Sequence, residues 1–217
     1  MSFRRYILAS RSPRRLELLR QIVHPELIEV RPPESSEEAG FDGCLDVDAI
    51  REQLLSIAKK KAEQARSALN AEEAGYHELP RTLLISADTT VVVSGHEGTP
   101  VVLGQPPEND DWREIVANWF THYYAGKTHL ALTAVYVTTP DGRSSSRVVE
   151  SRVTFRHDVD RWLNWYLLTG EPRGKAGGYA LQGAGSVFIE RVEGSLSNVV
   201  GLPLESLLDI FADTSLR

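Results

Sequence analysis

The sequence predicts an α/β protein with a central mixed β-sheet flanked by helices. Three observations support this fold class. Short β-branched or apolar segments alternate with amphipathic segments, one clear hairpin signal lies among them, and 41% of the 217 residues are hydrophobic. Interspersed strands and helices favour an α/β architecture, whereas the hairpin requires an antiparallel pair in the same sheet. Because no linker or internal repeat interrupts the pattern, we expect a single domain over residues 1–217.

The elements of the first half follow from local patterns. Residues 6–9 and 27–30 are short apolar segments typical of strands, and residues 13–22 between them form a predicted helix. Residues 31–44 are expected to be a polar, acidic loop. Residues 48–69 keep a helical period of apolar side chains and predict a long amphipathic helix. The apolar positions are Ile50, Leu54, Leu55, Ile57, Ala58, Ala62, Ala65 and Leu69.

The second half predicts the centre of the sheet and its remaining helices. Residues 83–93 are rich in β-branched side chains and predict a central strand, onto which residues 101–103 pair back. Residues 130–138 alternate in polarity and meet residues 147–155 across a Pro-Asp-Gly turn, which indicates a hairpin. The remaining predicted elements are helices at 110–123, 158–168 and 204–211 and a strand at 187–191.

Composition excludes several classes of protein. A formal net charge of -6 argues against a dedicated nucleic-acid or anionic-membrane binder. The single cysteine, Cys44, excludes an internal disulfide framework and a zinc site built from several cysteines. No segment approaches the roughly 20 apolar residues of a membrane span. We therefore expect a soluble, cytoplasmic protein with neither a nucleic acid nor a membrane as its partner.

The first candidate site is the segment Ser10-Arg11-Ser12-Pro13-Arg14-Arg15, at the predicted junction of a strand and a helix. Ser12 is a favourable N-cap, and Pro13 suits the first helical position because its missing N–H needs no partner there. The free amides of a helix start, together with Arg14 and Arg15, are suited to an anion. A well-capped helix with solvated arginines explains these residues equally well.

The second candidate is Asp88, in the middle of the predicted central strand. Burying a carboxylate costs free energy unless a cation or hydrogen bonds compensate it, so Asp88 is a candidate metal ligand or general base. The competing explanation is an aspartate that caps a turn at the end of a strand.

The third candidate is Lys175, which lies among glycines in Gly174-Lys175-Ala176-Gly177-Gly178. Glycines permit close approach of the backbone to a phosphate, with the ammonium group beside it. The segment is not a Walker P-loop, because the glycine spacing is one residue short and no Ser or Thr follows the lysine. A flexible surface loop is the simpler explanation of this segment when it is considered alone.

These segments, in this order and spacing, resemble the Maf family of nucleoside triphosphate pyrophosphatases. Residues 10–15 are similar to its opening motif Ser-x-Ser-Pro-Arg-Arg, and residues 87–89 to its Ala-Asp-Thr signature. Residues 175–183 and 193–204 match its C-terminal block. The resemblance implies a two-lobed fold of the inosine triphosphatase type with a cleft between the lobes. It also implies a divalent cation, Mg²⁺ or Mn²⁺, and often a homodimer.

The resemblance also implies roles for individual residues. The implied catalytic residues are Asp88 as proton acceptor, Glu37, Lys61 and Lys175, with Asp88 and Glu37 as metal ligands. The implied substrate-binding residues are Ser10, Ser12, Arg14, Arg15, Thr89 and Gln182. Arg14, Thr89 and Gln182 fall on the positions that separate family branches, and this combination is that of the branch acting on dTTP and UTP. The implied reaction is hydrolysis of the nucleoside triphosphate to its monophosphate and pyrophosphate, as a house-cleaning activity. CTP and modified pyrimidine nucleotides are further candidate substrates.

One position departs from the family pattern. The family usually has a lysine where this sequence has Gln105, in Gly104-Gln105-Pro106. Lys175, Lys127 or an arginine could supply the missing cation. The alternative hypothesis is a nucleotide-binding regulator of cell division or septum formation that has lost turnover. An inosine or xanthosine triphosphate pyrophosphatase is the competing enzyme class, but it should lack both the Ser-Pro-Arg-Arg and the Ala-Asp-Thr motifs.

Overall fold

A computed structural model of the chain describes residues 3–33, 40–72 and 81–215. The strands are β1 (Arg5–Leu8), β2 (Ile28–Val30), β3 (Thr82–Ser94), β4 (Pro100–Leu103), β5 (Thr128–Thr138), β6 (Ser144–Phe155) and β7 (Ile189–Glu193). The α-helices are α1 (Pro13–Leu19), α2 (Val47–Glu72), α3 (Trp112–Trp119), α4 (Asp160–Thr169), α5 (Leu196–Val200) and α6 (Leu204–Ser215). None of the helices in the described ranges has both the length and the apolar composition that a membrane span requires.

The seven strands form one mixed sheet in the order β2-β1-β3-β5-β6-β7, with β4 paired to β3. The pairs of β1 with β2 and with β3 are parallel, whereas the pairs of β3 with β4 and β5, and of β6 with β5 and β7, are antiparallel. Strand β3 is long and buried along almost all of its length. The predicted mixed sheet, its central strand and its hairpin are confirmed.

One face of the sheet is covered by α2. The alternate residues Leu84 and Val92 of β3 pack against apolar side chains of this helix. Between them, the Ser86 hydroxyl donates a hydrogen bond to the Ala58 carbonyl oxygen, at 2.7 Å. Alanines at positions 58, 62 and 65 are buried in this interface, and their small side chains let the helix lie close to the strand.

The opposite face carries two separate apolar cores. Leu83, Ile85 and Ala87 pack with side chains of α1 and α6, whereas Val91 and Val93 pack with those of α3 and α4. These two cores correspond to the predicted lobes. Thr89 is the residue of β3 that faces the gap between them, because side chains alternate along a strand.

Some predicted boundaries were wrong. The helix predicted at 110–123 is α-helical only as α3, and a π-helical turn, Phe120–Tyr124, follows it. Phe120 packs edge-on against Phe188, with ring centroids 4.9 Å apart, so tertiary packing of aromatic rings accompanies this change of helical period. Residues 184–188, partly predicted as strand, form a 3₁₀ helix before β7. The short helix α5, begun by Ser195 accepting a hydrogen bond from the Asn198 amide, was not predicted.

Candidate active site

A cleft of about 630 Å³ opens beside β3, at the carboxyl end of β1. β1 pairs with the start of β3, and β4 pairs with its last four residues. Residues 86–90 of β3 lie between these two partners, and Asp88, Thr89 and Thr90 line the cleft there. Ligands of open α/β sheets bind in this kind of place, outside the carboxyl ends of parallel strands.

Every predicted site residue in the described ranges lines this one cleft. These residues are Ser10, Ser12, Arg14, Arg15, Lys61, Asp88, Thr89, Lys175 and Gln182. They come from four segments of the chain that are far apart in sequence. Glu37 lies outside the described residues, so its place in the site stays a prediction.

Arg15 joins three elements at the wall of the cleft. Its Nε donates to the Gly201 carbonyl oxygen at 2.8 Å, and its Nη1 to the Ser10 hydroxyl at 3.2 Å. Its Nη2 donates to the Thr89 hydroxyl at 3.1 Å. Ser12 caps α1 by accepting a hydrogen bond from the Arg15 amide, at 3.4 Å. Arg15 is therefore a fixed part of the wall, and the interpretation of this arginine as a solvated surface residue is wrong.

Asp88 and Lys61 form an ion pair at the base of the cleft. The Lys61 Nζ lies 2.6 Å from the Asp88 Oδ1, and the two side chains are only 13% and 8% exposed. Lys61 reaches this depth because the neighbouring residues Ala58 and Ala62 hold α2 against the sheet. The cation compensates the carboxylate that the sequence places inside an apolar strand.

Arg14 and Lys175 bring two cations together at another wall of the cleft. Burial lowers the pKa of Arg14, against the opposing charges of Glu171 and Glu17. Burial and then the charge of Arg14 lower the pKa of Lys175, again against Glu171. The charge of Arg14 disfavours protonation of Lys175, so an anionic ligand beside these two cations would relieve their repulsion.

Glu171 holds the loop that carries Gln182. Its carboxylate accepts hydrogen bonds from the amides of Ala184 at 2.7 Å and Gly185 at 2.9 Å, and from the Tyr166 hydroxyl at 3.1 Å. Its backbone carbonyl accepts a hydrogen bond from the Lys175 Nζ at 2.5 Å. Glu171 was not predicted as a site residue, because its backbone partners Ala184 and Gly185 lie just beyond the motif that ends at residue 183.

The glycines beside Lys175 serve packing. A Cβ at Gly177 would stand 2.5 Å from the Tyr124 hydroxyl oxygen, and one at Gly178 would stand 3.2 Å from Val116. Both glycines have φ near +70° and are buried behind the cleft wall. The expectation that these glycines allow a phosphate to approach is therefore wrong for 177 and 178, although Gly174, Lys175 and Ala176 do line the cleft.

The candidates to replace the missing lysine differ in position. Gln105 is exposed and lines the cleft. The Gly177 amide donates to the Gly104 carbonyl oxygen at 2.9 Å, so the segments that carry Gln105 and Lys175 lie side by side. Lys127 instead donates to the His122 carbonyl oxygen at 2.6 Å and is not among the described residues that line the cleft.

The carboxylates that line the cleft fit a divalent cation that is bound partly by the phosphates of the substrate. Among the described residues no group of three or more His, Cys, Asp or Glu side chains could enclose a metal ion. Asp88 and Glu108 are the carboxylates of that part of the chain that line the cleft. Mg²⁺ is commonly bound by one or two carboxylates together with substrate phosphates. Asp88 fits this mode, with phosphate oxygens and the predicted ligand Glu37 supplying other positions.

Two further residues that contact this wall were missed. Gly201 has φ +125°, and its carbonyl oxygen accepts a hydrogen bond from Arg15. The Thr133 hydroxyl, on the neighbouring strand, is hydrogen-bonded to the Thr89 hydroxyl at 3.0 Å. Gly201 lies in the matched C-terminal block, so its motif was a usable signal. Thr133 is an ordinary threonine in an alternating strand, and no sequence signal singles it out.

Comparisons with known proteins place the chain in a family. A protein of Anaeromyxobacter dehalogenans named dTTP/UTP pyrophosphatase is 38% identical over 203 residues, which cover 92% of this chain and 89% of that protein. One of the same name from Caldicellulosiruptor bescii is 38% identical over 208 residues, covering 94% and 92%. The solved Ham1 protein of Staphylococcus aureus superposes with a TM-score of 0.41 and 15% identity, over 70% of this chain and 72% of that one. The family model described as Maf-like protein matches residues 5–214, and the chain belongs to this family.

Proposed function

We propose that this protein hydrolyses dTTP and UTP to the corresponding monophosphate and pyrophosphate. The observation that carries the proposal is the meeting of a compensated carboxylate, Asp88, with the paired cations Arg14 and Lys175 in one cleft. The relatives named dTTP/UTP pyrophosphatase, which align over nearly the whole chain, support the same assignment.

Each part of the cleft has a task in this reaction. Arg14 and Lys175 bind the phosphates, because a polyanion relieves the repulsion that Arg14 exerts on Lys175. Asp88 accepts a proton from the water that attacks the α-phosphorus, and Lys61 orients its carboxylate. Arg15 keeps Ser10 and Thr89 in place at the wall of the cleft.

A divalent cation, Mg²⁺ or Mn²⁺, belongs to the same proposal. Asp88 and Glu37 would hold it together with phosphate oxygens, and it would supply further positive charge where the phosphates are attacked. A homodimer and a cytoplasmic setting, with its nucleotide pools, stay predictions that follow from the family.

The experiment that tests the proposal is a panel of canonical and modified nucleoside triphosphates, each with Mg²⁺ or Mn²⁺. We expect pyrophosphate from dTTP and UTP in preference to purine triphosphates. Orthophosphate and a nucleoside diphosphate as primary products would contradict the proposal. Tight nucleotide binding without release of pyrophosphate would instead support the alternative of a regulator without turnover, which the neutral Gln105 favours.

A further inference from the structure

Thr89 belongs to a line of hydrogen bonds that starts in the buried interior. Thr89 and Thr133 are direct cross-strand partners in β3 and β5, and their hydroxyl oxygens lie 3.0 Å apart. Thr133 is fully buried and does not line the cleft. Its hydroxyl oxygen lies 3.0 Å from the backbone carbonyl oxygen of Asn198. On the other side, the Arg15 Nη2 lies 3.1 Å from the Thr89 hydroxyl oxygen.

The number of available protons fixes which group donates and which accepts in each of these hydrogen bonds. A threonine hydroxyl has one proton and two lone pairs. The Asn198 carbonyl can only accept, so the Thr133 hydroxyl donates its one proton there. The Thr133 oxygen is then the acceptor for the proton of Thr89. The guanidinium of Arg15 can only donate, so it occupies one lone pair of Thr89 and leaves the other.

The reverse direction is unfavourable. If Thr133 donated to Thr89, a lone pair of the Thr133 oxygen would face the Asn198 carbonyl oxygen at 3.0 Å. Two acceptors opposed in the buried interior repel each other, because no solvent screens them there. The hydrogen bond from Thr133 to the Asn198 backbone carbonyl therefore determines that the Thr89 hydroxyl donates to Thr133 and can only accept a hydrogen bond in the cleft.

We propose that Thr133 is a positioning residue that fixes the Thr89 hydroxyl as a hydrogen-bond acceptor, so that this point of the cleft selects a nucleoside group that donates. The inference rests on the proposed function. Ionised phosphates present acceptor oxygens, so Thr89 pairs with the nucleoside. The donors that UTP and dTTP have in common are the imide N3–H of the base and the 3′-hydroxyl of the sugar. Cytosine presents an acceptor at N3 and donates only from its 4-amino group.

Gly201 supports this geometry. A Cβ at position 201 would stand 3.3 Å from the Thr89 hydroxyl oxygen, closer than most such contacts, and the glycine has φ +125°. Glycine therefore leaves the hydroxyl less crowded on this side, while its carbonyl oxygen anchors Arg15. The arrangement keeps Thr89 fixed and still accessible to a ligand.

The test is Thr133→Val, which keeps the shape of the side chain and removes its hydroxyl. We measure kcat and KM for UTP, CTP, dTTP and 2′,3′-dideoxythymidine triphosphate. Freed from Thr133, the Thr89 proton can turn to the cleft, so the UTP to CTP ratio of kcat/KM should fall about fivefold to tenfold, the worth of one neutral hydrogen bond. If the sugar hydroxyl is the donor, the dTTP to dideoxy ratio should fall instead, which also supports the inference.

Matched variants separate positioning from stability. Thr133→Ser keeps the hydroxyl and should restore the ratios, whereas Thr138→Val, another buried threonine of β5, should leave them unchanged. Thr133→Ala removes the same hydroxyl with a smaller side chain and should shift the ratios in the same direction as valine. Equal loss on all four substrates, or Thr133→Ser behaving like Thr133→Val, would overturn the inference.

Failure of the proposed function gives a different result. It would appear as wild-type protein releasing no pyrophosphate from any triphosphate. In that case, dissociation constants of the non-hydrolysable α,β-methylene analogues of UTP, CTP, dTTP and 2′,3′-dideoxythymidine triphosphate decide the inference alone. An unchanged UTP to CTP preference in Thr133→Val, together with an unchanged preference for the 3′-hydroxyl among the analogues, would then contradict it.

Discussion

Asp88 and Lys61 show how one pair of residues connects the fold to the chemistry. A carboxylate inside an apolar strand needs compensation, and Lys61 supplies it at 2.6 Å from the helix behind the strand. Because the pair borders an open cleft, the carboxylate remains accessible to water and to a cation. Asp88 could be recognised from sequence because burying a charged residue among β-branched neighbours costs free energy unless a cation or hydrogen bonds compensate it.

Asp88→Asn should lower kcat at least about a hundredfold, because an amide neither accepts the proton of water nor holds a cation well. The substitution also leaves Lys61 without this carboxylate, so some loss of stability is expected. Asp209→Asn, at an exposed position on α6, is the control. A folded Asp88→Asn protein, judged by circular dichroism, with near-normal turnover would remove Asp88 from the mechanism.

Gln105→Lys tests whether another cation replaces the missing family lysine. Since Gln105 and Lys175 lie on adjacent segments, we expect Lys175 to serve this role and Gln105→Lys to leave kcat unchanged or lower. In the Lys175→Ala background, the same substitution should recover part of the lost rate. We measure kcat for both single variants and the double variant at saturating triphosphate and metal. A tenfold or larger gain from Gln105→Lys alone would contradict compensation by Lys175.

The turn at residues 176–178 shows, at the level of elements, how packing positions a functional side chain. The Gly177 amide donates a hydrogen bond to the Gly104 carbonyl oxygen, and the Gly177 carbonyl oxygen accepts one from the Tyr124 hydroxyl at 2.8 Å. The turn therefore lies against the residue that follows β4 and against the π-helical segment, and Lys175 precedes it. A side chain at Gly177 would clash with Tyr124 of the π-helical segment and with Val91 of β3.

Gly177→Ala should lower the free energy of unfolding by about 1–3 kcal/mol more than Gly142→Ala does. Both glycines have positive φ, at +70° and +86°, so both variants carry backbone strain. Only at Gly177 would the new Cβ meet atoms, 2.5 Å from Tyr124 and 2.8 Å from Val91. Urea unfolding of the two variants measures the difference, and equal losses would show that the contact with Tyr124 is unimportant.

Periodic elements could be predicted from sequence, and elements that depend on distant contacts could not. The helix at 48–69 and the strand at 83–93 each carry a long apolar repeat, so both were identified within a few residues. The π-helical turn at Phe120–Tyr124 depends on aromatic rings from other elements. Likewise, Asp88 and Lys175 carried a local signal, whereas Thr133 and Glu171 gain their roles only from partners brought together by folding.

The molecule as a whole contains a buried titratable group away from the proposed chemistry. His129 is packed among Tyr124, Phe155 and Tyr179, and its Nε2 lies 2.8 Å from the Tyr179 hydroxyl oxygen. Burial lowers the pKa of His129 to about 3. The folded protein therefore keeps this histidine neutral where the unfolded chain, with a pKa near 6.5, binds a proton.

His129 should make the protein sensitive to acid. A folded pKa below the unfolded value means that its stability contribution is complete above pH about 6.5 and is lost as the pH falls toward 3. Between pH 8 and pH 5, the wild type should lose about 2 kcal/mol more of its unfolding free energy than His129→Gln does. The exposed His96→Gln is the control. Parallel pH profiles of all three proteins would contradict a neutral, buried His129.

The whole fold places its two lobes on either side of residues 86–90, and the central claim is that water attacks the α-phosphorus of a nucleotide held there. The most direct measurement is hydrolysis of UTP in ¹⁸O-labelled water, followed by mass spectrometry of the products. We predict the label in UMP and unlabelled pyrophosphate. Label in pyrophosphate would show attack at the β-phosphorus, and UDP with labelled orthophosphate would show attack at the γ-phosphorus. Either result would contradict the assignment.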